Sequence, residues 1–155
     1  MSVPKSVVRF RKNGVEYTSS VDRASYTIVE LSRAAMRDVG KFMARKANEA
    51  GMKLPGLKKS RRVRGRTSTF LYNVPWAKKG LPHVEVGVTH DTWYGVDQEL
   101  GNSSQPKRGI LRNTAHSNIA KIIEIESKYL SALEDEAKAL SLIDEGEYFG
   151  GGEET

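Results

Sequence analysis

Residues 21–50 read VDRASYTIVELSRAAMRDVGKFMARKANEA, and the spacing of the apolar residues in this stretch decides the fold. Ile28, Leu31, Ala35, Val39, Phe42 and Met43 recur on one face of a 3.6-residue period, while Arg33, Arg37, Lys41 and Arg45 fall elsewhere. No proline interrupts the run. Gly40 is its weak spot, worth up to ~1 kcal/mol against alanine in a helix interior. Gly51 and Pro55 supply the stop. One long amphipathic helix is therefore expected from about Val21 to Ala50, and the rest of the chain must pack on it.

On the N-terminal side, Val7-Val8-Arg9-Phe10 and Val15-Glu16-Tyr17-Thr18 flank Lys12-Asn13-Gly14. Asn-Gly accepts the positive φ angles of a tight turn, so a short hairpin is expected, with Ser19, Ser20 or Asp22 available to cap the helix. On the C-terminal side, residues 53–66 carry seven basic residues and no acidic one, together with Pro55, Gly56 and Gly65. Such like-charge density predicts a long, mobile loop. Thr67 to Val74 and His83 to Val88 read as strands either side of a Lys78-Lys79-Gly80 turn. Trp93 to Val96 opens a third extended or irregular piece that ends near Gly101, and Asn102 to Pro106 forms a loop. A last helix, starting as early as Lys107, places Ile119, Ile122, Ile123, Tyr129, Leu130, Leu133, Ala137 and Leu140 on one face. The expected class is α+β: a small, mainly antiparallel sheet with two long helices packed on one face. A single domain is expected over residues 1–146, followed by a flexible tail at 147–155 rich in glycine and glutamate.

Composition narrows the function classes. With 155 residues, 38% hydrophobic and 28% charged, the chain suits one globular domain. No stretch reaches the ~18 apolar residues of a membrane span, and Met1-Ser2-Val3-Pro4-Lys5 lacks the apolar core of a signal peptide. The absence of cysteine excludes disulfides and thiolate metal sites. The net charge of +6 conceals an asymmetry. Residues 1–66 hold 17 Lys and Arg against 5 Asp and Glu, a balance of +12; residues 67–113 hold 5 against 4; residues 114–155 hold 3 against 10, a balance of −7. A basic half can meet nucleic acid, and it can equally meet the acidic half of an identical neighbour.

The candidate chemistry is sparse. Asp97 and Glu99 would share a face in a strand, as a metal-assisted hydrolase requires, but no further ligand stands at a fixed spacing around them or around His90-Asp91. His83, His90 and His116 accompany no nucleophile elbow. The three glycines at 150–152 lie in the tail rather than between a strand and a helix, where a phosphate cradle belongs. Trp93-Tyr94 fits packing better than a ligand cage. No catalytic residue, cofactor or metal is expected. The basic stretch is the strongest physical signal: Lys58, Lys59, Arg61, Arg62, Arg64 and Arg66 would release counterions from DNA, with Phe70, Tyr72 and Trp76 near enough in sequence to stack on bases. The same residues would also suit an acidic neighbouring subunit. Nothing has the spacing of a base-reading motif.

Residues 93–102, Trp-Tyr-Gly-Val-Asp-Gln-Glu-Leu-Gly-Asn, and 105–113, Gln-Pro-Lys-Arg-Gly-Ile-Leu-Arg-Asn, resemble a motif of the tail-completion or neck proteins of long-tailed bacteriophages. In that family an aromatic-rich strand runs into Glu-x-Gly, a short loop with proline follows, and an apolar-Leu-Arg stretch opens the final helix. Tyr94 matches the aromatic position, Glu99 and Gly101 the Glu-x-Gly, and Ile110, Leu111 and Arg112 the helix opening. The chain departs from the pattern at Asn102, where threonine is usual, at Gly109-Ile110, where Pro-Phe is usual, and at Asn113, where a second proline is common. The resemblance implies a non-enzymatic virion protein, assembled in the host cytoplasm. It would form a ring, on this resemblance a hexamer, that joins the tail to the head-closure or connector protein on one side and the tail terminator or tail tube on the other. The dsDNA genome would pass through its channel. A tail-terminator ring and a sequence-nonspecific DNA-binding protein are the alternatives. On this reading Gly101 permits a sharp turn, and Glu99 accepts a loop amide or pairs with Arg112. Ile110 and Leu111 anchor the helix against the sheet.

Overall fold

The computed structural model describes residues 4–5, 8–53, 69–75, 82–89, 94–135 and 137–143. Strands β1 (Val8–Lys12) and β2 (Val15–Ser19) pair antiparallel, with Phe10 opposite Tyr17 and Lys12 opposite Val15. Asn13 and Gly14 take φ of 51° and 79°, the positive values a two-residue hairpin turn requires. Helix α1 (Val21–Lys53) follows at once, 33 residues and about 50 Å long. The Ser19 hydroxyl accepts only a long 3.4 Å bond from the Val21 amide, while Ser20 contributes its carbonyl to Ala24.

Strands β3 (Leu71–Asn73) and β4 (Glu85–Gly87) pair antiparallel, with Tyr72 opposite Val86, and both lie against α1. The hairpin and this pair are two separate two-stranded sheets, so the single sheet expected from the sequence is divided. The third extended piece is a helix, α2 (Tyr94–Leu100). The expected last helix is broken into α3 (Ile110–Ser117), α4 (Ile119–Leu130), a 3-10 turn (Ser131–Glu134) and a helical stretch α5 at 137–143. The class is α+β, as expected.

Turn chemistry makes the breaks. Asn118 leaves the helical region, at φ −121°, and its side-chain amide donates to the Thr114 carbonyl at 2.8 Å. Asp135 is extended, and its Oδ1 accepts from the amides of Ala137 and Lys138, an N-cap for α5.

Two cores sit along α1. Toward its N-terminal half, Leu31, Ala34 and Ala35 pack with Tyr129, Ala132, Ala139, Leu142 and Ile143. Within this cluster the Tyr129 hydroxyl donates to Asp38. Toward its C-terminal half, Ala47 packs with Phe70 and Ile110. Since Ile110 meets Ala47 and Tyr129 meets Asp38, the α3–α4 arm runs antiparallel to α1. Gly40 lies where the strands approach most closely: a Cβ there would stand 2.6 Å from Tyr72 Cδ2 and 2.8 Å from Val84 Cγ2. What looks like a helix defect is the clearance for the β3–β4 pair.

Several residues assigned to buried faces are exposed. Ile28 of α1 and Ile119, Ile123, Leu130 and Leu133 of the α4 region face solvent, as does Ala137. Periodicity marks the apolar side of a helix, and each of these helices has a wider apolar sector than its neighbours cover. No described helix is long and apolar enough to cross a membrane.

Candidate functional site

The fold gathers the 94–113 motif into a clamp. Tyr94 opens α2, and Glu99 sits in its last turn. The Glu99 carboxylate accepts the Leu111 amide at 2.8 Å through Oε2 and the Arg112 amide at 3.2 Å through Oε1. These are among the amide donors that a helix N-terminus leaves without intrahelical partners. Glu99 is thus a cap for α3, reaching across from another element, and its negative charge stands at the favourable end of the helix dipole. Its contact with Arg112 is through the backbone; Arg112 itself is exposed. The main chain closes the same joint, with Arg108 N donating to Gln98 O and Gly109 N to Glu99 O.

Two glycines make the joint possible. Gly101 has φ +78°, and a Cβ there would lie 2.6 Å from the Lys107 amide nitrogen. Its own amide closes α2 onto the Asp97 carbonyl at 2.8 Å. Gly109 has φ +58° directly before α3. Between them, Asn102 Oδ1 accepts from the amides of Ser104 and Gln105 and from the Ser104 hydroxyl, so the loop braces itself. Ile110 is buried beside Ala47 and Phe70, with Leu111 packed against that cluster. Gly101 turns the chain at positive φ, and Ile110 and Leu111 seat α3 mainly on Ala47 of α1 and on Phe70, just ahead of β3, where the sequence suggested the sheet.

A second anchor went unnoticed in the sequence. Asn48, inside α1, donates to the carbonyls of Ala44 and Phe70, while its Oδ1 accepts the amides of Thr69 and Phe70. It fixes the chain entering β3 and thereby holds Phe70 in the core. The signal was an asparagine in a helix interior, where that residue is a poor helix former.

Asp97 and Glu99 do not form a carboxylate pair. In a helix, residues two apart point about 200° from each other, and Glu99 is committed to α3. Among the described residues no three His, Asp or Glu side chains gather as metal ligands. His83 Nε2 lies 3.7 Å from Glu85 Oε1, both exposed, and His116 is exposed on α3. His90, Asp91, Trp76 and Trp93 lie outside the described residues, as do Lys58, Lys59, Arg61, Arg62, Arg64, Arg66, the Lys78–Gly80 turn and the 147–155 tail.

A groove of about 340 Å³ lies between the end of α1 and α3 and includes Lys46, Glu49, Lys53, Arg108, Asn113 and Asn118 in its walls. It carries three cations and one carboxylate. The hydrogen bond from Lys46, 3.0 Å from Glu49 Oε2, holds the Glu49 carboxyl below its ordinary value, with Arg45 and Lys53 adding to the effect. The basic 53–66 stretch begins at this groove, because α1 ends at Lys53. Elsewhere on α1, Arg37 keeps its Nε and Nη2 buried without a hydrogen-bond partner among the described residues. Comparison with family models, curated proteins and solved structures gave no match to this chain.

Proposed function

We propose that this chain is a structural subunit of the neck of a long-tailed bacteriophage, one copy of a ring that completes the tail and joins it to the head-closure or connector complex. The observation that carries the reading is the 94–113 motif. Within it Glu99 caps α3, Gly101 and Gly109 turn the chain, and Ile110 and Leu111 pack against the core. That is the economy of a scaffold rather than of a reaction centre. The lengthwise charge asymmetry supports the same reading, since head-to-tail neighbours in a closed ring set one subunit's basic half against the next one's acidic half.

A second reading has its own observation. The cationic groove of Lys46, Lys53 and Arg108, from which the basic 53–66 stretch departs, suits a phosphate backbone. On that reading the chain binds DNA without sequence preference, and binding weakens by about 0.9 log units per log unit of salt for each phosphate contacted.

Electron microscopy of particles made without this gene separates the possibilities. Filled heads beside finished, unattached tails are expected. Overlong tails would reassign the chain to the tail terminator, and normal infectious virions would overturn the structural reading and favour the DNA-binding one.

A further inference from the structure

The β1–β2 hairpin and the exposed side of the first turns of α1, at Val21, Ile28 and Val29, form an arm with apolar residues open to solvent. A lone two-stranded hairpin is marginal in water, yet β1 and β2 make no more than marginal contact with any other described element. Val15 on the hairpin is 54% exposed and Val21 at the head of α1 is 70% exposed, with Ile28 and Val29 exposed further along. The exposed charges of the arm are mainly basic: Lys5, Arg9, Arg11 and Lys12 against Glu16 and Asp22.

A second uncovered surface lies on α4. Its buried side is Tyr129 with Ile125 behind it. About a third of a turn away, Ile119, Ile123 and Leu130 form a separate stripe at helical spacing, continued by Leu133; Ile123 is 55% and Leu130 65% exposed. The charges around this stripe are mainly acidic: Glu124, Glu126, Glu134 and Asp135 against Lys121 and Lys128.

The arm cannot fold onto the far end of its own stripe. The start of α4 lies beside Lys46, since Asn118 and Lys46 wall the same groove. Val21 is 25 residues from Lys46 along one continuous helix, about 38 Å. Two arms would repel each other, as would two α4 surfaces, whereas an arm and an α4 surface carry opposite balances and matching apolar residues.

We propose that the occupant of the α4 stripe is the hairpin arm of a second copy of this chain. The contact is head-to-tail: each copy gives its arm to one neighbour and its stripe to another, and repetition generates a ring or a filament. This deepens the ring reading and rests on it for the choice of a closed assembly, but it specifies the surfaces independently.

The absence of cysteine makes the test direct. Full-length V15C and I123C chains are mixed at high concentration, oxidised and resolved without reductant, with E85C, exposed on β4, as the control partner. The expected result is a V15C–I123C dimer in several-fold excess over either homodimer and over V15C–E85C, with its yield falling as salt approaches about 1 M, where screening shortens to about 3 Å. Statistical mixtures of products, or I123C homodimers in excess, would overturn the pairing. Sedimentation of the unmodified chain distinguishes the two failures: a closed oligomer without the cross-link sinks the arm–stripe contact alone, and a monomer at every concentration without the cross-link sinks the ring reading as well.

Discussion

Along the C-terminal half of α1, Ala44 and Ala47 are buried, Asn48 satisfies the incoming chain at residues 69–70, and Glu99 caps the helix that carries Ile110 into the same core. Along its first turns Val21, Ile28 and Val29 stand exposed beside a hairpin that, among the described elements, packs mainly on itself. One helix thus serves two regions, one closed by its own chain and one left open. The difference teaches where the intrachain energy of the fold is concentrated. The closed region is held by burial and by the hydrogen bonds of Asn48 and Glu99, whereas the open region gains less from the described remainder of its own chain and is the natural place for a neighbour to contribute.

Substitutions in the closed region should therefore unfold the chain, and those in the open region should leave stability nearly unchanged. The largest effect is expected from Phe70→Ala. Its ring is 2% exposed between Ala47 and Ile110, and emptying such a site costs about 3–5 kcal/mol, read as a lowered midpoint in denaturant unfolding. Glu99→Ala comes next. It strips the cap from α3 and leaves two amides without their acceptor, a loss of about 1–2 kcal/mol by the cost of N-cap removal. Glu99→Gln should recover only part of that loss, because one carboxamide oxygen replaces two charged ones. Smallest is Val15→Thr on the hairpin, expected to shift stability by less than about 0.5 kcal/mol while weakening self-association in sedimentation. A Val15→Thr loss as large as that of Glu99→Ala would erase the contrast between the regions.

The sequence announced some of this and concealed the rest, for identifiable reasons. Asn13-Gly14 fixed the hairpin, since that dipeptide accepts the φ angles observed, and the long periodic run fixed α1. The short run 93–100 was ambiguous: Val96 and Leu100 stand four apart, as in a helix, but eight residues are too few for periodicity to decide between helix and strand. The last helix looked continuous because the apolar spacing runs through residues 118 and 135, where Asn and Asp side chains bond to nearby backbone and break it. Gly101 as a turn and Ile110 as an anchor were legible from residue type. Glu99 was legible as an acceptor, but its actual donors are 12 and 13 residues away, across a loop whose path depends on Gly101 and Gly109. Ile28 shows the other limit: periodicity identifies an apolar face, and only the packing of the whole chain tells whether anything covers it.

Native-state amide hydrogen exchange, on the isolated chain and then on the assembled particle, tests most directly the claim that one region is complete and the other is not. In the isolated chain, the amides of Phe70, Leu111 and Arg112 should exchange only through global unfolding, while those of residues 8–19 exchange through local opening that costs far less. On assembly the hairpin amides should gain protection and those of the closed region should scarcely change. A hairpin already as protected as Leu111 in the isolated chain, with no gain on assembly, would contradict the account.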